Sequence, residues 1–142
     1  MNTRPTLITG FEPYGGRGRN PAHEAMAKLH GRTINGKSIV GRGLPVSFGK
    51  FPEIAHELIE ELNPSTVICL GLWPGESMIR IERIAVNIAD FGIPDNEGVL
   101  AVDDLVDSEG AAALMSTLPI RAIEQAILAD GIPASVSATA GT

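Results

Sequence analysis

The run TVICLG, residues 66–71, decides the fold class. Its side chains are apolar on both alternating sets of positions, which is typical of a strand covered on its two faces and indicates a central place in a sheet. The segment before it, residues 51–62, carries apolar side chains at a spacing of four, the pattern of an amphipathic helix. A helix that leads directly into a buried strand indicates an α/β protein.

Strands and helices continue to alternate on both sides of this run. Asn20 is a predicted helix N-cap because Pro21 follows at the first helical position and good helix formers come after it. We therefore predict an α/β fold, with three α/β/α layers around a mixed, mostly parallel central sheet, in a single domain spanning residues 1–142. Strands are predicted at 6–10, 37–44, 79–88 and 135–139, and helices at 22–29, 51–62 and 118–129.

The composition argues against several classes of protein. The chain has 142 residues, of which 44% are apolar and 20% charged, and its net charge of −6 argues against a nucleic-acid-binding surface. It has no apolar run near the ~18 residues of a membrane span and no signal-peptide pattern at its start. One cysteine cannot form an internal disulfide, which suits a reducing compartment. We expect a cytoplasmic protein with no nucleic-acid partner and no membrane contact.

The loop FEPYGGRGRN, residues 11–20, is the first candidate site. Its glycines and arginines, placed between a strand and a helix, allow a phosphate cradle, but the spacing fits no known phosphate-binding motif. A surface turn with solvated arginines is the simplest alternative. Phe11 and Tyr14 are two of only five Phe and Tyr residues in the chain (four Phe and one Tyr), and both fall in this loop. That concentration of aromatic rings favours a pocket for a flat ligand at the end of a strand.

Glu82 is the second candidate, in the strand-like run IRIERIAVNI. Strand interiors rarely carry a carboxylate, so its place there needs an explanation. Either Glu82 points to solvent or pairs with Arg80, or it is a partly buried carboxylate that orients a histidine. The residues alone favour the first interpretation.

The remaining reactive side chains predict neither a nucleophile nor a metal site. Cys69 lies between apolar neighbours in the middle of a predicted strand, so we expect a buried structural cysteine. The histidines and a loop cluster of aspartates lack metal-ligand spacing, and solvated surfaces explain them. We therefore expect no metal and no cofactor. These residues are His23, His30 and His56 on or beside helices, and Asp103, Asp104 and Asp107 in the loop.

Seven stretches of the chain carry a resemblance to a known family. They are TGFEPYGGRGRNPA (9–22), LPVSF (44–48), VICLGL (67–72), ERIAVNI (82–88), IPDNEG (93–98), STLPI (116–120) and GIPASVSATAGT (131–142). In this order they resemble pyroglutamyl-peptidase I, also called pyrrolidone-carboxylate peptidase. The resemblance spans the chain without large gaps and implies a phosphorylase/hydrolase-like α/β/α fold.

The resemblance also implies a reaction and a set of site residues. The family removes N-terminal pyroglutamate from peptides with a cysteine, a histidine and a glutamate, and without a metal. Glu82 matches the family's glutamate, which would orient the histidine. The implied substrate-binding residues are Phe11 and Tyr14, which would sandwich the pyrrolidone ring, Val46 and Ile93, which would line the pocket, and Leu72, whose backbone region would meet the lactam.

The same resemblance leads to an expectation about the C-terminal side. In the family, the run matched by residues 135–142 continues into the nucleophilic cysteine, and the histidine lies later still. We therefore expect that the C-terminal part of the domain is missing, that the family's cysteine and histidine lie beyond Thr142, and that this chain alone is inactive. Cys69 matches a structural position. Family members commonly self-associate, so a homo-oligomer is a further expectation.

Several residues depart from the family's usual pattern beside the pocket. Loss of an arginine at Gly92 removes a cation near the expected thiolate, and Glu76 reverses a charge. Two alternatives therefore stay open, a non-catalytic protein that binds pyroglutamate or another small molecule, and a non-functional remnant with exposed apolar surface. The departures are Leu72 for Gln, Pro74, Gly75 and Glu76 for Gly-Gly-Arg, Arg80 for a small hydroxyl residue, and Gly92 for Arg.

Overall fold

The computed structural model describes residues 4–139, in which strands and helices alternate as predicted. These residues form two compact units. Unit 1 comprises the described residues up to Leu72 together with Ile93–Val99, and unit 2 comprises Trp73–Gly92 and the described residues from Leu100 onward. The elements are β1 (Thr6–Phe11), α1 (Pro21–Leu29), β2 (Thr33–Ile34), β3 (Lys37–Leu44), α2 (Phe51–Leu62), β4 (Thr66–Leu70), β5 (Ile79–Glu82), β6 (Ile84–Val86), β7 (Ala113–Met115), α3 (Ile120–Ala129) and β8 (Ala134–Ser137).

The sheet of unit 1 has the strand order β2-β3-β1-β4. β1 pairs in parallel with both β3 and β4, and β2 is antiparallel to β3. The mixed, mostly parallel sheet predicted from the sequence is thereby confirmed. Because parallel strands end at the same edge of a sheet, the segments that follow β1, β3 and β4 emerge together at that edge.

Glycines set the distance between α1 and this sheet. A Cβ atom on Gly10 would lie 2.5 Å from the carbonyl oxygen of Ala22, and one on Gly41 would lie 2.8 Å from that of Met26. Only glycine allows the helix backbone to approach the strands this closely. The close approach brings Met26 against Ile8 and Ile39 to form the buried core of unit 1.

Local sequence signals place both helices of unit 1. Asn20 caps α1 as predicted, because its Oδ1 accepts a hydrogen bond of 2.9 Å from the amide of Ala22. The predicted 51–62 helix is observed as α2, and it ends where Asn63 adopts a left-handed conformation. Phe51 of α2 contacts Phe11, whose side chain lies on the sheet face opposite Gly10 and α1. Unit 1 therefore has the predicted three layers.

The strand predicted over 79–88 is wrong as a single element. Residues 79–82 form β5, which is parallel to β8, whereas 84–86 form β6, which is antiparallel to β7. Arg83 lies at the break, where its amide donates to the carbonyl of Ser137 and its carbonyl accepts from the amide of Ser116. The strand partner therefore changes from β8 to β7 at this one residue, and an alternating sequence pattern does not reveal such a change.

The prediction of a central, doubly covered strand at 66–71 is also wrong. Among the described residues β4 pairs with β1 alone and lies last in the order of its sheet. Ile68 and Leu70 pack against the core, whereas Val67 and Cys69 on the other face are exposed. Cys69 is therefore not the buried cysteine that its apolar neighbours predicted.

Unit 2 is held by short strand pairs and one helix. α3 is joined to β8 by Glu124, whose Oε1 accepts a hydrogen bond of 2.9 Å from the amide of Val136. β2 and β7, of two and three residues, are too short for sequence patterns to predict. Within residues 4–139, no helix has the length and apolar character needed to cross a bilayer.

Candidate active site

Unit 1 contains all five of the predicted substrate-binding residues. Phe11 ends β1, Val46 follows β3 and Leu72 follows β4, so the parallel sheet carries these three to one edge. Tyr14 lies on the loop after β1, and Ile93 begins the segment Ile93–Val99, which belongs to the same unit. The carboxyl edge of a parallel sheet is where α/β proteins bind their ligands.

The two aromatic residues are held by different contacts. The ring of Phe11 meets that of Phe51 at a centroid distance of 5.6 Å and an angle of 44°. The hydroxyl of Tyr14 donates a hydrogen bond of 2.5 Å to the carbonyl oxygen of Leu72. The guanidinium of Arg17 lies 5.6 Å from the centre of the Tyr14 ring, within the range of a cation–π contact. Both rings are half-buried, and each is therefore held in place yet partly accessible.

The arginines of the glycine-rich loop do not form a phosphate cradle. Arg19 makes two hydrogen bonds to Glu24, of 2.6 and 2.8 Å. The bond from Arg19 holds the pKa of the Glu24 carboxyl below its ordinary value. Arg17 is exposed and covers Tyr14 instead. An open cleft runs beside this loop, lined by Arg17, Gly18, Arg19, Pro21, Glu24 and Leu72.

Glu12 joins three segments of the site. Its Oε1 accepts hydrogen bonds from the amide of Val46, at 3.0 Å, and from Nδ2 of Asn96, at 2.9 Å. The backbone of Glu12 is also bonded, because its amide donates to Leu44 and its carbonyl accepts from Asn20. Glu12 therefore fixes the loop after β1, the loop after β3 and the segment Ile93–Val99 relative to one another.

Asn96 completes this junction. Its amide donates to the carbonyl of Val46 at 3.0 Å, so both backbone polar groups of Val46 are bonded. Its side chain also donates to the carbonyl of Pro13 at 2.9 Å. Ile93, at the start of the same segment, is 48% exposed, and a Cβ on Gly15 would lie 3.1 Å from its Cδ1. The segment thus brings an accessible apolar side chain against the loop that carries Tyr14.

Two further carboxylates attach the segment Ile93–Val99 to the start of α2. Asp95 accepts from the amide of Phe48 at 2.8 Å, and this bond, with others from its own turn, holds its pKa below the ordinary value. Glu97 accepts from Lys50 and from the hydroxyl of Ser47, and these bonds lower its pKa as well. Both carboxylates are therefore needed in their ionised form.

Glu82 lies in unit 2, at the end of β5. It is half-buried, and its Oε1 is 3.7 Å from Nε of Arg80. Its Oε2 is buried and has no hydrogen-bond partner among the described residues. Glu82 therefore combines the two predicted alternatives, a local contact with Arg80 and an oxygen shielded from solvent.

The histidines and the loop aspartates lie in different surroundings. Nδ1 of His30 accepts from the amide of Gly41, and His56 lies 3.3 Å from Glu60 on α2. His23 is half-buried and packs over Gly43, so the prediction of a solvated histidine is wrong there. The predicted solvated loop is observed, since the three aspartates at 103, 104 and 107 are exposed.

The sequence pattern did not single out Glu12, Asp95 or Asn96. The last two fall in IPDNEG, where the cluster of Pro, Asp, Asn and Gly predicts only a turn. The available signal was that this motif adds two carboxylates and an amide to a turn, more hydrogen-bonding side chains than a simple reversal of the chain requires.

The amino-acid sequence of this chain is similar to those of known peptidases. A family model described as pyroglutamyl peptidase matches residues 4–142. The pyrrolidone-carboxylate peptidases of Bacillus cereus and Erwinia tasmaniensis are 48% and 47% identical over 139 residues, which is 98% of this chain and 65% of each relative. The chain therefore spans just under two thirds of the length of these curated relatives.

Solved structures give the same result. Crystal structures of pyrrolidone carboxyl peptidase from Pyrococcus furiosus and its Cys-free mutant match with a TM-score of 0.93 and 44% identity, over 96% of this chain and 66% of that one. The enzyme from Thermococcus litoralis matches with a TM-score of 0.92 and 44% identity, over 99% and 64%. The chain belongs to the pyroglutamyl peptidase family.

Proposed function

We propose that this chain is part of a cysteine-type omega peptidase that removes N-terminal pyroglutamate from peptides. The observation that carries the proposal is the junction at Glu12, which fixes the loop of Phe11 and Tyr14 to Val46 and to the segment of Ile93. A pocket whose walls are fixed in advance loses little conformational entropy when a small rigid ligand binds. Pyroglutamate, with its flat five-membered lactam, is such a ligand.

The residues of unit 1 suit a neutral ring. In this proposal Phe11 and Tyr14 present aromatic faces to the lactam, and Val46 and Ile93 supply apolar contact. The backbone at Leu72 supplies the polar contact to the lactam. The side chains of these five residues carry no charge at neutral pH, which fits a ring whose amine has been lost to lactam formation.

Glu82 is proposed to orient a histidine. A buried carboxylate oxygen without a donor is costly, and an imidazole N–H is a donor that would relieve this cost. The histidine would take the proton of a cysteine thiol, and the thiolate would attack the pyroglutamyl carbonyl. The imidazolium would then give its proton to the departing amine, and water would hydrolyse the thioester to release pyroglutamate.

The family's cysteine and histidine are proposed to lie C-terminal of residue 142, as the resemblance implies. Cys69 lies on β4, and His30 and His56 contact other groups. His23 packs over Gly43, and its buried Nδ1 has no hydrogen-bond partner among the described residues. The 142-residue polypeptide is therefore expected to bind the ring without hydrolysing pyroglutamyl amides. The proposal includes a cytoplasmic location, pyroglutamyl peptides as substrates and self-association.

Calorimetric titration with L-pyroglutamate tests ring binding, beside an assay of a fluorogenic pyroglutamyl amide. We expect saturable binding by the 142-residue chain, no turnover, and no binding of L-proline, which has the ring but lacks the lactam carbonyl. Phe11→Ala should weaken binding, whereas Glu57→Ala, an exposed change on α2, should leave it unchanged. Absence of binding would refute the ring site, and turnover would refute the proposed position of the nucleophile.

A non-catalytic pyroglutamate-binding protein is the second candidate, favoured by the contact between Arg80 and Glu82. The departure at position 80 places a cation beside the carboxylate that the histidine would need. Reading the coding DNA past codon 142 separates the two candidates. An in-frame continuation that encodes a cysteine and then a histidine supports the peptidase, and a stop codon leaves the binding protein or the non-functional remnant.

A further inference from the structure

The hydroxyl of Tyr14 is hydrogen-bonded to a backbone carbonyl that the proposed ligand would also use. It donates a hydrogen bond of 2.5 Å to the carbonyl oxygen of Leu72, at the short end of the normal range for O–H···O bonds. Leu72 follows β4 at the carboxyl edge of the sheet and is half-buried. In the proposed function the backbone at Leu72 meets the lactam, and this carbonyl is the group there that can accept a hydrogen bond from the lactam N–H.

A tyrosine is not needed at this position for its ring alone. The cation–π contact with Arg17 and the apolar faces of the ring would remain with phenylalanine. The hydroxyl adds one thing, a donor that satisfies the Leu72 carbonyl when no ligand is present. A carbonyl has two lone pairs, so a lactam N–H competes with the hydroxyl where both approach the same one.

We propose that Tyr14 is a specificity-determining residue whose hydroxyl competes with the lactam N–H for the Leu72 carbonyl. This inference rests on the proposed function and extends it. Binding of pyroglutamate then requires the hydroxyl to leave the carbonyl, so part of the interaction energy is spent on breaking an existing bond. Ligands without a ring N–H do not make this demand, so the hydroxyl keeps its bond to the Leu72 carbonyl when they bind.

The comparison of wild type with Tyr14→Phe tests this competition. The variant keeps the ring and frees the carbonyl, so we expect it to bind L-pyroglutamate about three- to tenfold more tightly. The matching γ-lactone carboxylate, in which a ring oxygen replaces the N–H, should bind the variant no more tightly than wild type. Thr33→Val, which removes an exposed hydroxyl on β2, is the control and should change neither affinity.

The outcomes separate this inference from the function on which it rests. Equal or weaker binding of L-pyroglutamate by Tyr14→Phe, with binding by wild type intact, overturns the competition and leaves the ring site standing. Absence of binding by both proteins overturns the ring site and the competition together. Equal tightening for lactam and lactone also overturns the inference, because it shows that the N–H plays no part.

A measurement on wild type keeps the inference testable if the variant does not fold. Tyr14 is the only tyrosine in the chain, so meta-fluorotyrosine gives a single fluorine NMR signal from this residue. We expect a saturable shift of that signal with L-pyroglutamate as the hydroxyl leaves Leu72. A signal that stays unchanged while calorimetry reports binding would contradict the proposal.

Discussion

The two units of this chain differ in how completely their side chains are packed and hydrogen-bonded. Unit 1 has a buried core of Ile8, Met26 and Ile39, formed where glycines of the sheet let α1 pack closely against it. Unit 2 is a set of short strand pairs in which many large apolar side chains stay exposed, among them Val102, Leu114 and Met115. In unit 1 the proposed ring site is fixed by hydrogen bonds between distant segments, whereas in unit 2 the buried Oε2 of Glu82 has no partner among the described residues.

Under the proposed function, this difference predicts separate roles for the two units. A recognition site that is fixed by its own unit can fold and bind a ligand by means of residues already in place. A carboxylate that orients another residue, in contrast, is complete only when that residue is present. The comparison therefore predicts that ligand recognition and hydrolysis are separable, and the changes below test how far the two units differ.

The largest effect is expected for Gly10→Ala in unit 1. The added methyl group would lie 2.5 Å from the carbonyl oxygen of Ala22, a contact with backbone that no side-chain rotation relieves. We expect the free energy of unfolding to fall by about 3 kcal/mol, measured by urea denaturation. Gly49→Ala, where a Cβ meets nothing within 4 Å, is the control. Equal losses in both variants would mean that close packing of α1 does not hold unit 1 together.

The next effect is expected for Glu12→Ala, which removes the acceptor of two hydrogen bonds. The amide of Val46 and the side chain of Asn96 lose their partner, and we expect a loss of about 2 kcal/mol in stability together with weaker pyroglutamate binding. Glu12→Gln keeps an acceptor oxygen and should recover most of both properties. Glu57→Ala on the exposed side of α2 should have little effect. Full affinity in Glu12→Ala would remove this residue from the account of the ring site.

A smaller effect, dependent on pH, is expected at Asp95 and Glu97. Their folded-state pKa values lie below the ordinary range, so they stabilise the fold above the ordinary carboxyl pKa and lose this contribution as pH falls through the lowered value. Thermal unfolding followed from about pH 5 down to about pH 2 should therefore show falling stability. Asp95→Asn should reduce this dependence of stability on pH. If the dependence is unchanged in the variant, other groups are responsible for the sensitivity to acid.

The sequence predicted unit 1 better than unit 2, for physical reasons. Helix α2, strand β3 and the Asn20 cap depend on local periodicity and capping, and all three were predicted correctly. The break at Arg83 depends on which strands are available as partners, and no local pattern contains that information. The exposure of Cys69 depends on what covers the far face of β4, which is again a property of tertiary structure.

The same division applies to the candidate site. Phe11 and Tyr14 stand out because aromatic residues are rare in this chain and these two share a glycine-rich loop. Glu12 could not be identified in this way, because its partners Val46 and Asn96 are 34 and 84 residues distant along the chain. A sequence shows which side chains can accept hydrogen bonds, but the fold decides which donors reach them.

The smallest effect is expected for Arg80→Ala in unit 2, although Arg80 has many contacts. Its guanidinium lies 4.6 Å from the centre of the Trp73 ring, 2.9 Å from the hydroxyl of Ser137, and 3.5 and 3.7 Å from the carboxylates of Glu76 and Glu82. The two ion pairs are long and partly exposed, so each contributes little, and a cation–π contact near the surface adds only about 0.5–1 kcal/mol.

We therefore expect Arg80→Ala to lower the free energy of unfolding by about 1 kcal/mol, measured by urea denaturation. Arg121→Ala, which removes another paired arginine of unit 2, is the control. A double-mutant cycle with Glu82→Gln should give a coupling energy near zero, because the nearest atoms are 3.7 Å apart. A loss above about 2 kcal/mol, or a large coupling energy, would mean that the contacts of Arg80 contribute substantially to the stability of unit 2. In that case Glu82 would be committed to Arg80, which would favour the non-catalytic binding protein over the peptidase.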